Sequence, residues 1–202
     1  MPLIRKPASP SETPAPDDRN IAEMLIEGSD DERWTAARNA TLLPEALPLL
    51  TTALSKERVT RVREAIFTAL AKMGSSESAA VIIPYLRSDD AAQRTAALDA
   101  LRAMPGAAAV HLPGLLKDAD ADVRLLVCEI ARMLPADEAS RLLGELIERE
   151  LNANVCAAAI EVLAETGTAA SLPILEQCAI RFSDEPFLAF AIRTARDRIG
   201  SR

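Results

Sequence analysis

The stretch RVREAIFTALAKMG, residues 61–74, recurs in altered form along most of the chain. With Arg63 as anchor, related segments are centred on Arg94 in AQRTAALDALRAM, Arg124 in DVRLLVCEIARML and Cys156 in NVCAAAIEVLAETG. Weaker copies are centred on Trp34 in ERWTAARNAT and on Leu188 in PFLAFAIRTARDRI, giving spacings of 29, 31, 30, 32 and 32 residues. Two residues past the anchor stand Ala36, Ala65, Ala96 and Ala158; three past it stand Ala37, Ala97, Ala159 and Ala191. Leu70, Leu101 and Leu163 lie seven past it. Offsets of three and seven share one face of a helix, and alanine there lets neighbouring helices approach closely.

Between these copies lies a second kind of segment: EALPLLTTALS, AAVIIPYLRS, AAVHLPGLLKD, EASRLLGELIERE and AASLPILEQCA. Pro48, Pro84, Pro113 and Pro173 fall inside them and are expected to kink or delay each helix, since proline removes a backbone bond. Two helices per period, neither able to bury its apolar stripe alone, predict a solenoid in which each repeat is stabilised by its neighbours.

Composition agrees. Alanine and leucine supply 64 of 202 residues, and strand formers are scarce. No apolar run is long enough to span a membrane. A net charge of −7, with Trp34 and Tyr85 the sole Trp and Tyr, leaves neither a basic surface nor stacking platforms, so neither nucleic acid nor membrane is expected as partner. Residues 1–19 hold five prolines and are expected to form a disordered arm, with the repeat domain running over 20–202 and Asn20 or Asp18 capping its first helix. The last helix is expected at about 186–200, as a C-terminal cap with a polar outer face.

The turn Asp89-Asp90 before Arg94, Asp120 before Val123-Arg124, and the degraded Asp30-Asp31 before Trp34 resemble HEAT repeats, specifically the short bacterial HEAT-like, phycobilisome-lyase-like variety. The motif fades in Asn154-Val155-Cys156 and again in Glu185-Pro186-Phe187-Leu188. The resemblance covers about 20–200 and implies an all-α, right-handed α-solenoid of five to six helical hairpins. It also implies that Asp90, Arg94, Asp120 and Arg124 form an internal ladder, with the acids capping helices and pairing with arginines of adjacent repeats.

Catalytic relatives of such arrays supply specific comparisons. The HEAT-like hydroxylases hold two irons through several His-Glu dipeptides, whereas His111, followed by Leu112, is this chain's only histidine. Cys128, Cys156 and Cys178 have no CxxC spacing and lie in apolar helical stretches, so they read as core residues suited to a reducing cytoplasm. No catalytic residue, metal or cofactor is expected. An accessory or lyase-like subunit, comparable to bilin-lyase subunits, is the alternative implied by the resemblance.

The expected function is therefore a non-catalytic scaffold or adaptor that binds other proteins. In the arrays this chain resembles, the second helices line the concave side. Offsets of five and eight from the anchor point away from the packed stripe. They select Asp99, Arg102, Glu129, Arg132 and Glu161 as candidate partner-binding residues. The arm supplies a second candidate in Leu3, Ile4 and Arg5, beside Lys6, ahead of a proline-rich spacer.

Overall fold

The computed structural model describes residues 18–201, with Asp18 and Arg19 described by backbone alone. The expected arm, with Leu3, Ile4 and Arg5, lies outside the described residues except for its last two positions. Those two open the first helix, α1 (Asp18–Glu27), so Asn20 sits within its first turn and is not its cap.

Twelve helical units form six hairpins among the described residues, which contain no strand. The first members are α1, α3 (Ala46–Lys56), α5 (Ser76–Ile82), the split pair α7 (Pro105–Ala109) and α8 (Leu112–Leu115), α10 (Ala136–Arg149) and α12 (Leu172–Arg181). The second members are α2 (Asp30–Asn39), α4 (Thr60–Met73), α6 (Ala91–Arg102), α9 (Ala121–Ala131), α11 (Ala153–Thr166) and α13 (Pro186–Gly200). Each second helix packs on its own first helix and on the next second helix, so α2, α4, α6, α9, α11 and α13 form one continuous layer. The described residues thus form an all-α solenoid.

Local sequence sets the helix ends. Ser29 caps α2 in a reciprocal capping box with Glu32, and Asp90, Asp120 and Asn152 cap α6, α9 and α11 through their side-chain oxygens. Gly74 ends α4 at φ 62, the left-handed conformation that costs glycine least. The prolines act differently from the expected mid-helix kink. Pro48, Pro113 and Pro173 all fall in the first turn of a helix, where an amide hydrogen has no intrahelical acceptor to lose. Pro84 instead follows α5 in a short 3-10 stretch, Ile83–Arg87, that completes the third hairpin's first member.

The core is one contiguous apolar seam between the two layers. Val62, Ile66 and Leu70 of α4 fill it, as do Val123, Val127 and Ile130 of α9 and Val155, Ile160 and Leu163 of α11. Opposite them, α10 contributes Leu142, Leu143, Leu146 and Ile147. The outer face of α13 is less polar than expected, because Phe187 and Phe190 stand exposed on it. Leu143→Ala should destabilise the array by about 2–5 kcal/mol through lost burial and a residual cavity. Leu151→Ala, at an 81% exposed position, should change stability by less than about 0.5 kcal/mol. Unfolding followed by circular dichroism checks both values.

Candidate functional site

Two sets of charged side chains mark the array, one at the hairpin turns and one on the outward face of the second helices. At the turns, the anchor arginine reaches back to a carbonyl of its own hairpin and, in three hairpins, forward to a carboxylate of the next. Arg124 donates through Nη1 to Asp118 O at 2.7 Å, and through Nε and Nη2 to Glu150 Oε2 and Oε1 at 2.7 and 2.9 Å. Arg33 repeats the arrangement, with Gly28 O at 2.8 Å and the two oxygens of Glu57 at 2.8 and 3.3 Å. The carboxylates of Glu57 and Glu150 are almost wholly buried, and each also accepts the next two backbone N–H groups. Burial alone would raise their pKa. The arginine and backbone hydrogen bonds together outweigh burial and hold both carboxyls below the usual carboxylate range.

The turn ladder therefore differs from the expected Asp–Arg pairing. Asp90 and Asp120 do cap their helices, and Arg63 approaches Asp90 at 3.5 Å. Arg94, however, donates to Ser88 O of its own turn at 2.6 Å. The carboxylates that take Arg33 and Arg124 are Glu57 and Glu150, six residues before an anchor. That offset was readable, since Glu57 precedes Arg63, Asp118 precedes Arg124 and Glu150 precedes Cys156 by the same interval. Ser88 fills the position before Arg94, which leaves Arg63 a distant partner and its Nε buried with none among the described residues. Where Cys156 replaces the anchor arginine, Arg181 of the following hairpin holds the same carbonyl. It donates to Glu150 O at 2.9 Å, Ile147 O at 2.6 Å and Glu148 O at 2.8 Å.

The cap positions also correct the repeat register. Ser29 lies four residues before Arg33, as Asp90 lies four before Arg94, so Arg33 and not Trp34 is the first anchor. Leu188 is buried like Val62, Val123 and Val155, one residue before their anchors, so Ala189 takes the last anchor position. Trp34 thereby moves to the outward face, where Arg38 stacks over its ring at 4.5 Å.

On that face the expected residues separate into two groups. Glu129, Arg132 and Glu161 come together between α9 and α11. Arg132 contacts Glu129 at 3.2 Å, Glu161 at 3.9 Å and Glu165 at 2.5 Å, with only 16% of its side chain exposed. Sequence reasoning missed Glu165, although it lies one helical turn beyond Glu161 on the same face. Asp99 and Arg102 form a separate, looser pair on α6 at 3.7 Å.

Between α4 and α6 this face opens into a groove of about 580 Å³. Phe67, Ala96 and Ala100 form its floor, Thr68 and Thr95 its walls, and Glu64 and Asp99 stand at its rims. The cause is local composition, because α6 presents alanine at 91, 92, 96 and 100 where bulkier side chains would fill the space between helices. Among the described residues Glu64 forms no ion pair, and Asp99 has only its 3.7 Å contact with Arg102.

The groups available for chemistry lie elsewhere. His111 Nε2 sits 3.1 Å from Ser76 Oγ and 3.0 Å from Ser76 O, tying two first helices together. Burial, then the charges of Glu129 and Glu150, pushes the Cys128 thiol up to about 12. Cys156 is raised by its hydrogen bond with buried Cys178 and by burial. Both are weak nucleophiles in this state. Among the described residues, no three His, Cys, Asp or Glu side chains converge as a metal site.

The family model for HEAT repeats matches residues 19–102 and 108–193. No curated protein sequence matches the chain. Similar solved structures include the CpcE–CpcF complex of phycocyanin lyase from Nostoc sp. PCC7120, at 20% identity and TM-score 0.49, covering 94% of this chain and 79% of that one. Human deoxyhypusine hydroxylase is similar at 18% identity and TM-score 0.46, covering 90% and 84%. A designed armadillo repeat protein is similar at 15% identity and TM-score 0.42, covering 91% and 100%. These likenesses concern the helical-repeat architecture.

Arg124→Ala should cost about 3–5 kcal/mol, because it strands the buried Glu150 carboxylate. The depressed pKa values of Glu57 and Glu150 also fix a pH dependence. Their stabilisation is complete above the unfolded value of about 4.3 and is lost as pH falls through the lower folded values. Urea midpoints from pH 7 down to pH 3 should therefore decline in acid, with a smaller acid loss in Arg124→Ala. Ser88→Glu restores the missing carboxylate opposite Arg63 and should raise the melting temperature; an unchanged or lower value would contradict the assigned role of that position.

Proposed function

The chain belongs to the HEAT-repeat family, and on that premise we propose that it is a non-catalytic scaffold or adaptor that binds another protein on the outward face of its second helices. The observation that carries this reading is the α4–α6 groove, an open apolar trough flanked by two carboxylates with little internal neutralisation. Grooves of this size accept side chains of a partner segment, and unneutralised rim charges favour a partner of opposite sign. Arg132 belongs to a different category. Three carboxylates of its own chain already surround it, so it contributes chiefly to holding α9 against α11. Glu161, whose side chain is 71% exposed, and Asp99 are better placed to meet a partner.

A reducing, cytoplasmic setting is part of the same proposal, resting on three cysteines that serve as buried core residues of apolar helices. The absence of a catalytic role is likewise a proposal. It is supported by the burial of Cys128 and by the ties that hold His111 to Ser76.

Thr95→Trp fills the groove from an exposed wall position, and Asp99→Lys reverses one rim charge. Affinity capture from the native cell should retain a protein with the wild-type chain and lose at least about nine-tenths of it with the doubly substituted chain. The melting temperature of that variant should stay within a few degrees of wild type, since neither side chain is buried. Equal capture by both chains would place recognition elsewhere.

A further inference from the structure

The groove has a candidate occupant within the chain itself. Its rim carries two carboxylates, Glu64 and Asp99, over an alanine and phenylalanine floor. A fitting segment would be short, with small or branched apolar side chains next to two positive charges. Residues 3–6, Leu-Ile-Arg-Lys, have that composition in an otherwise acidic protein. They lie ahead of α1, separated from it by residues 7–17. Those eleven residues can span at most about 36–40 Å when extended. The groove between α4 and α6 is one to two helix spacings along the stack from α1 and one across the layers, about 20–30 Å at about 8–10 Å per spacing. The tether therefore reaches.

Building on the reading of this face as the recognition surface, we propose that the α4–α6 groove is a docking site for residues 3–6 of the same chain. Leu3 and Ile4 rest on the alanine floor, and Arg5 and Lys6 meet Glu64 and Asp99. An external partner then competes with the chain's own segment, and partner affinity is reduced in proportion to the occupied fraction. If nine molecules in ten are self-occupied, apparent affinity falls about tenfold.

The test uses a fluorescent peptide of residues 1–8, titrated by anisotropy against three full-length chains. These are the wild type, Arg5→Glu/Lys6→Glu, and that variant with Glu64→Lys/Asp99→Lys added. Helix content and melting temperature confirm that all three fold. The expected result is weak binding to wild type, binding about tenfold tighter to Arg5→Glu/Lys6→Glu, and no measurable binding once the rim is reversed. Equal binding to the first two chains, or binding that survives rim reversal, overturns the proposal. So does wild-type self-association, measured by sedimentation, that Arg5→Glu/Lys6→Glu abolishes, because the segment would then occupy a second copy. Partner capture lost in Thr95→Trp/Asp99→Lys, with no effect of Arg5→Glu/Lys6→Glu on peptide binding, would overturn self-occlusion alone and leave the scaffold reading standing.

Discussion

A guanidinium at the start of a second helix, held between a carbonyl of its own hairpin and a carboxylate of the next, fixes the offset of neighbouring hairpins at two junctions of this array, those of Arg33 and Arg124. Apolar burial supplies the gross stabilisation, but alanine-rich faces slide easily because they lack interdigitating side chains. The paired contacts of Arg33 with Glu57 and of Arg124 with Glu150 have a fixed fork geometry that permits one offset between neighbouring hairpins. Each carboxylate also accepts backbone N–H groups at the mouth of the following second helix. The same side chain thus joins two hairpins and orders the turn inside the second of them.

The positions where the device weakens explain the shape of the functional face. In the third hairpin Ser88 replaces the carboxylate, and α6 lines its contact with α4 by alanine at 91, 92, 96 and 100, so a groove stays open between α4 and α6. Towards the C-terminal end other residues restore the connection. Arg181 holds the carbonyls at the end of α10, and Arg132, at the end of α9, reaches α11 through Glu161 and Glu165.

The repeat and its two helix types were legible from Arg63, Arg94 and Arg124 because a solenoid writes its period into the sequence. The register at the two ends was not. Trp34 and Leu188 are the conspicuous residues there, but the caps at Ser29 and the burial of Leu188 place the anchors at Arg33 and Ala189. The carboxylates that complete the ladder, Glu57 and Glu150, sit at the ends of first helices, outside the Asp-to-Arg motif, so that motif does not point to them. Their partners are close only in space, 24 and 26 residues away. The α4–α6 groove was equally invisible, since a gap is defined by side chains two helices fail to supply. On the outward face, offset arithmetic did select Asp99 and Glu161, but exposure was needed to separate them from the enclosed Arg132.

The claim that this clamp couples consecutive hairpins is tested most directly by a double-mutant cycle on Arg124→Met and Glu150→Leu, read as unfolding free energies at pH 7. The two groups share bidentate hydrogen bonds in a buried setting, so a coupling energy of about 2–3 kcal/mol is expected. Single-variant losses that add to within about 0.5 kcal/mol would show that the contact carries no coupling and would contradict the account.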